Sequence, residues 1–201
     1  MDEIKFYGRG GQGVVMASQM LGFAFFKAGY YPQCFSVFGG ERRGAPVVSF
    51  LRVDEKKILL KCGIKHPNEM IYLDDSLIDA REVKSLLKPG GKILINTGQP
   101  QAAFKKLDPF SIGRVDARAI SELQGLGRTI NTAILGAYAR LSGKPSVAVL
   151  LAAIEEMVPA KKRENLTAAQ QAYAQLVNKY KVMVYTVAFR ILRNHEDAEE
   201  I

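Results

Sequence analysis

Cysteine is scarce: the 201-residue chain holds only Cys34 and Cys62, and no C-x-x-C pair. Two thiols alone build neither an iron–sulfur cluster nor a zinc site, so both are excluded for this chain by itself. Both cysteines are expected as buried, reduced thiols. Histidine is as scarce. His66 stands beside Pro67 and His195 in a charged terminal stretch, and neither position marks a catalytic imidazole. No apolar run is long enough to span a bilayer, which argues against a membrane role. The opening Met1-Asp2-Glu3-Ile4 is acidic and enters a strand directly, unlike a secretory leader. A cytoplasmic location is the expectation. Signatures of several chemistries are absent too. There is no G-K-S or G-K-T to meet phosphate and magnesium, and no G-x-S-x-G nucleophile elbow. Asp74 and Asp75 are adjacent, and on a strand they would point to opposite faces rather than work as a paired acid and base.

What is present fits one globular domain: hydrophobic residues make up 48% and charged residues 24% of the chain. The net charge of +8 is compatible with nucleic acid, an acidic partner or an anionic ligand. The basic residues are scattered, with small clusters at Arg42-Arg43, Lys56-Lys57 and Lys161-Lys162-Arg163. That pattern is a solvated surface rather than a nucleic-acid footprint.

The first half alternates strands and helices. Ile4–Tyr7 is a strand and Val14–Ala28 a helix. Gln33–Phe38 and Pro46–Val53 are strands, Lys57–Leu60 is a candidate strand, and Met70–Leu73 is a short buried one. Asp79–Leu87 is a helix stopped by Lys88-Pro89-Gly90-Gly91. Lys92–Asn96 is a strand, and Arg114–Asp116 a last short candidate. Helices follow at Ile130–Leu141, Ser146–Met157 and from Lys161 onward. The fold class is therefore α/β, a mainly parallel twisted sheet with flanking helices and a helical C-terminal portion.

Gly8-Arg9-Gly10-Gly11-Gln12-Gly13 fits G-x-G-x-x-G between the first strand and first helix. Such a turn aims backbone N–H groups and the helix dipole at one spot. A dinucleotide site also needs an acid at the end of the second strand to bind ribose. Gln33-Cys34-Phe35-Ser36-Val37-Phe38 has none there, and Glu41 arrives late, followed by two arginines. The readings left are a loop that approaches a partner subunit or shared ligand, glycines serving helix–strand packing, and, least favoured, an autonomous NAD or FAD site. The second unusual segment is Gly39-Gly40-Glu41-Arg42-Arg43-Gly44-Ala45-Pro46. Adjacent arginines in a constrained loop offer planar forks to carboxylate or phosphate. Read blandly, the segment is an exposed turn with a local ion pair. Both loops follow strands, so in a parallel sheet both lie at the carboxyl edge.

Gly8–Val14 opening a helix, followed by Phe38-Gly39-Gly40-Glu41-Arg42-Arg43-Gly44-Ala45-Pro46-Val47, resembles the gamma subunit of 2-oxoacid:ferredoxin oxidoreductases. Ile71-Tyr72-Leu73-Asp74-Asp75-Ser76-Leu77 and Asn131-Thr132-Ala133-Ile134-Leu135-Gly136-Ala137 match as well, as does Lys161-Lys162 followed by Asn165. The Glu41–Pro46 loop is most similar to the pyruvate and branched-chain (2-ketoisovalerate) branches. The resemblance implies a complex that oxidatively decarboxylates a 2-oxoacid with coenzyme A, giving acyl-CoA, carbon dioxide and reduced ferredoxin. It places thiamine diphosphate, magnesium and iron–sulfur clusters on alpha, beta and delta partner subunits, and none of them on this chain alone. The lack of a four-cysteine set and of a G-D-G…N-N thiamine motif agrees. The implied contact loop comprises Gly8, Arg9, Gly10, Gly11, Gln12, Gly13, Glu41, Arg42, Arg43, Gly44 and Asn131, with no catalytic residue. A stand-alone nucleotide- or CoA-binding module is the competing class.

The resemblance covers residues 2 to 173, which sets a domain over 1–173 and a helical tail over 174–201. Leu176 to Glu200 instead resembles the opening of region 2 of extracytoplasmic-function sigma factors, and the sequence stops before the polymerase- and promoter-binding helices. Leu176, Val177, Tyr180, Val184, Val187, Ala188, Ile191 and Leu192 keep helical spacing, so the tail is expected to bury a stripe against this domain or a neighbouring chain.

Overall fold

The computed structural model describes residues 1–38 and 44–176. Six strands form one sheet: β1 (Asp2–Arg9), β2 (Tyr31–Phe38), β3 (Pro46–Asp54), β4 (Glu69–Tyr72), β5 (Lys92–Asn96) and β6 (Ser111–Val115), in the order β2-β3-β1-β4-β5-β6. Strands β1, β4, β5 and β6 are parallel, whereas β3 runs antiparallel to both β1 and β2. So β3 alone is reversed. Its reason is the short link at residues 39–45: a parallel neighbour would need a crossover of a dozen or more residues.

Helices α1 (Val14–Lys27), α3 (Ala117–Leu123), α4 (Asn131–Ser142) and α5 (Val147–Met157) pack on one face of the sheet with α6, residues 162–176. Helix α2 (Ala80–Leu86) and the 3-10 segment Gln101–Leu107 cover β4 and β5 on the other face. The period of two in β1 sorts the faces. Ile4 and Phe6 join Val14, Leu21, Leu51, Ile71 and Ile134 in the larger core. Tyr7 faces the smaller core with Met70, Tyr72, Val83, Ile95 and Phe104.

Asp79 caps α2 by accepting from the Arg81 and Glu82 amides, and Asp116 caps α3 through the Ala119 amide. Residues Lys57–Leu60 are not a strand. Both sides of β3 are already taken by β1 and β2, so the chain crosses the sheet face instead, leaving Leu59 80% exposed. The thiols also differ from expectation: both cysteines are exposed residues. Cys34 sits on edge strand β2, its Sγ turned inward against the Ser18 carbonyl at 3.4 Å, and burial pushes the thiol up to about 11. Cys62 lies on the crossing segment, 3.8 Å from Arg52 Nη2.

Helices α4 and α6 run parallel in constant register. Thr132 Oγ1 donates to Asn165 Oδ1 at 2.9 Å, Gly136 faces Ala169, and the Arg140 guanidinium stands 6.0 Å from the Tyr173 ring. Helix α4 begins behind Gly13 at the carboxyl edge and ends where Lys92 Nζ reaches the Leu141 carbonyl, 3.3 Å away, at the amino edge. Helix α6 therefore carries the chain to the amino edge. Leu176, the first residue of the tail's apolar stripe, is 1% exposed in the core. The rest of that stripe lies outside the described residues.

One buried carboxyl works against stability. Glu69 Oε2 has no hydrogen-bond partner among the described residues. Burial pushes the Glu69 carboxyl up, only partly offset by the Tyr138 hydroxyl and Lys92. A raised carboxyl means that the folded state holds the proton more tightly, so its contribution is greatest below the ordinary value of 4.5 and is lost as pH rises through the folded one. Glu69→Gln is expected to melt higher than the parent at neutral pH, with the gap closing near pH ~4. Thermal melts across that range check it; parallel curves would refute it.

Candidate functional site

The turn after β1 is shaped by packing as much as by any ligand. Gly13 adopts φ 80°, and a Cβ there would come within 3.0 Å of the Asn131 amide. At Gly8 a Cβ would meet Val14 Cγ2 at 2.6 Å. Several loop amides are already engaged. Arg9 N donates to Gln12 Oε1 at 2.7 Å, Gly10 N to the Ala45 carbonyl at 2.9 Å, and Gln12 N to the Arg9 carbonyl at 3.1 Å. Gly44 N returns a bond to the Gly10 carbonyl at 3.2 Å. The glycine turn and the start of β3 are thus stitched together, and these amides are not free to cradle a pyrophosphate. The sheet order removes the ribose reader as well: β3 stands between β1 and β2, so the end of β2 is one strand spacing, about 4.8 Å, farther away than in a dinucleotide site.

Beside this turn, at the carboxyl ends of β1, β4, β5 and β6, lies a cavity of about 700 Å³. It opens where the strand order reverses, the usual place for contacts in open α/β sheets. Arg9, Gly10, Gly11, Gln12 and Gly44 line one side, and Asp74, Asp75, Thr97, Asp116, Arg118 and Arg128 the other. Asp74 and Asp75 share this cavity, contrary to the opposite-face expectation. The strand ends at Tyr72 and the chain turns into a 3-10 segment at Asp75–Leu77, so the period of two no longer applies.

Arg9 is the clasp of this edge. Its Nε donates to Asp74 Oδ2 at 3.0 Å, Nη1 to the Gly44 carbonyl at 3.2 Å and Nη2 to Ser76 Oγ at 3.0 Å. One planar fork thereby joins the glycine turn, the β2–β3 connection and the turn after β4. Burial pushes the Asp74 carboxyl up, but the Ser76 bonds and the Arg9 charge outweigh it and hold the carboxyl below its usual range. The other acids are engaged too. Asp75 Oδ2 accepts from Thr97 Oγ1 at 2.7 Å and Gln99 Nε2 at 3.1 Å, and Asp116 caps α3. Arg118 pairs with Glu122 at 2.9 Å. Arg9→Ala is expected to cost about 1 kcal/mol, since the pair is half exposed, and Arg9→Lys somewhat less. Urea unfolding measures it; an unchanged midpoint would remove the clasp.

Of the residues expected from sequence, Arg9, Gly10, Gly11, Gln12 and Gly44 line the cavity. Gly13 and Asn131 pack together behind it, and Gly8 lies in β1 against Val14. Glu41, Arg42 and Arg43 lie outside the described residues. The far wall was missed. Its signal was the strand ends themselves, since Thr97 and Asp116 follow β5 and β6 directly and Asp74 stands two residues after β4. Among the described residues no group of three or more His, Cys, Asp or Glu side chains is placed to hold a metal ion, and no helix is long and apolar enough to cross a membrane.

A doubly wound α/β domain, with a crevice at the switch point and its edge loops bonded to one another, is the class that fold and site define. A sequence model described as pyruvate ferredoxin/flavodoxin oxidoreductase matches residues 3–175, and the chain belongs to that family. It is 43% identical over 182 residues to the pyruvate/ketoisovalerate oxidoreductases common subunit gamma of Thermococcus kodakarensis, covering 88% of this chain and 98% of that one. Pyruvate synthase subunit PorC of Methanothermobacter marburgensis is 40% identical over 178 residues, with the same coverage of 88% and 98%. The crystal structure of the pyruvate oxidoreductase subunit PORC of Thermotoga maritima superposes with a TM-score of 0.75 at 30% identity, over 86% of this chain and 95% of that one. The chain is a gamma-type subunit of a multi-subunit oxidoreductase.

Proposed function

We propose that this chain is the non-catalytic gamma subunit of a complex that oxidatively decarboxylates pyruvate or a branched-chain 2-oxoacid with coenzyme A, yielding acyl-CoA, carbon dioxide and reduced ferredoxin. The observation that carries the reading is the match along 98% of the length of a pyruvate/ketoisovalerate common subunit gamma. In this reading thiamine diphosphate, magnesium and the iron–sulfur clusters reside on alpha, beta and delta subunits, and the assembled cytoplasmic complex delivers electrons to ferredoxin. The glycine turn and the Glu41-Arg42-Arg43 loop form its contact edge, with coenzyme A a secondary ligand of the arginine-bearing crevice. A stand-alone nucleotide module fits less well, because loop amides are committed to protein acceptors. Residues 1–173 form the gamma-type domain and 174–201 an added tail.

Co-expression with candidate alpha, beta and delta chains tests this. Co-purification of a complex that oxidises 2-oxoacids only when this chain is present is expected. A lone, stable monomer that binds nucleotide tightly would overturn it. Arg42→Ala with Arg43→Ala is expected to weaken assembly or raise the coenzyme A requirement; unchanged assembly and kinetics would remove that loop from the function.

A further inference from the structure

The two sheet faces are not equally covered. On the α2 side, β4 and β5 are roofed, but among the described residues the half made by β2, β3 and β1 is partly bare. Val37 is 57% exposed there, Phe35 and Val48 are half-buried, and Phe35 stacks on Phe50 with ring centroids 4.8 Å apart. Lys5 rises from the middle of this half-face. It is only 8% exposed, and its Nζ stands 5.0 Å from the Tyr7 ring and 5.6 Å from the Phe50 ring. Among the described residues it makes no ion pair. The nearby acid, Glu82, accepts from the Tyr7 hydroxyl at 3.3 Å. Arg52, the other cation of the face, is by contrast satisfied by Glu3 at 3.0 Å.

We infer that this half-face docks another subunit of the complex, through apolar side chains ringing one carboxylate that pairs with Lys5. The inference rests on the subunit reading above. An ammonium on an apolar sheet face keeps what water it can reach only while the face is open. Covering it with a purely apolar surface would strand the charge. A carboxylate in the cover replaces the lost water and fixes the register of docking. Burial already holds the Lys5 amine below its ordinary value, partly offset by Glu82. A lysine in place of an apolar residue therefore costs the free chain something and is repaid only on assembly.

The test compares Lys5→Met, Lys5→Arg and Val37→Asp in the co-expressed complex and in the free chain. Lys5→Met is expected to melt no lower than the parent when free, yet to bind its partner subunits about ten-fold or more weakly. Lys5→Arg should retain most of the affinity, and Val37→Asp should lose it. Assembly of the parent chain with equal affinity for Lys5→Met would overturn the inference and leave the subunit reading intact. Failure of the parent chain to assemble would sink the subunit reading itself. Dimerisation of the free chain that Lys5→Met abolishes would give the face to a second copy. A drop in the free variant's melting point that disappears on truncation after Leu176 would give it to the chain's own tail. Either result would overturn the proposed occupant.

Discussion

Replacing Gly136 by alanine is expected to be the most damaging glycine-to-alanine change among the described residues. Helices α4 and α6 meet there backbone to backbone. A Cβ on Gly136 would lie 1.9 Å from the Ala169 carbonyl oxygen and 2.8 Å from its Cα. No rotamer relieves that, because the obstacle is main chain. One helix has to move by an ångström or more, which opens the Thr132–Asn165 bond at one end and the Arg140–Tyr173 contact at the other. Overpacking a close-packed interior costs roughly 1–3 kcal/mol, and a main-chain clash belongs at or above the upper end. Chemical unfolding of Gly136→Ala should show a loss of about 3 kcal/mol or more. A loss below about 1 kcal/mol would mean that α6 is not held against α4 as described.

Glu3→Ala is expected to have an effect of comparable size. Glu3 stands at the amino end of β1, 13% exposed, with Oε1 on Arg52 Nε at 3.0 Å and Oε2 on Lys88 Nζ at 3.1 Å. Arg52 is 1% exposed, on β3. Its remaining polar contacts are Gln33 Oε1 at 3.1 Å and the Cys62 sulfur. Removing the carboxylate strands a buried guanidinium, which costs about 3–5 kcal/mol where burial is complete. Glu3→Gln keeps an acceptor for Arg52 and should cost markedly less. Glu3→Ala combined with Arg52→Met should recover much of the loss, because the stranded charge goes with its partner. A double-mutant cycle read from urea midpoints measures this, and strict additivity would rule out the coupling.

The local elements were legible because their signals are local. The alternation in β1 and the Lys88-Pro89-Gly90-Gly91 stop each act within a few residues, whereas the short α3, with its Asp116 cap, went unread. The reversal of β3 is different. Strand order depends on which edges are free, and apolar periodicity carries no record of that, although the short 39–45 connection carried half of the answer. Lys57–Leu60 has strand-like composition, but β3, the strand it would fold back on, is already flanked on both sides by β1 and β2. The same limit explains the site. The glycine turn announces itself, whereas the Arg9 clasp depends on Asp74 and Ser76, more than sixty residues away. The far wall of the cavity assembles from the ends of separate strands, which only the sheet brings together.

The parallel run of α4 and α6 has a practical side. Fifteen helical residues at about 1.5 Å each carry the backbone roughly 20 Å from the crevice by residue 176. A fluorophore, affinity handle or surface anchor joined directly after Leu176 would start at the far pole of the domain. A chain immobilised that way should leave its carboxyl edge open to analytes, whereas the same handle placed at Gly11 would obstruct it.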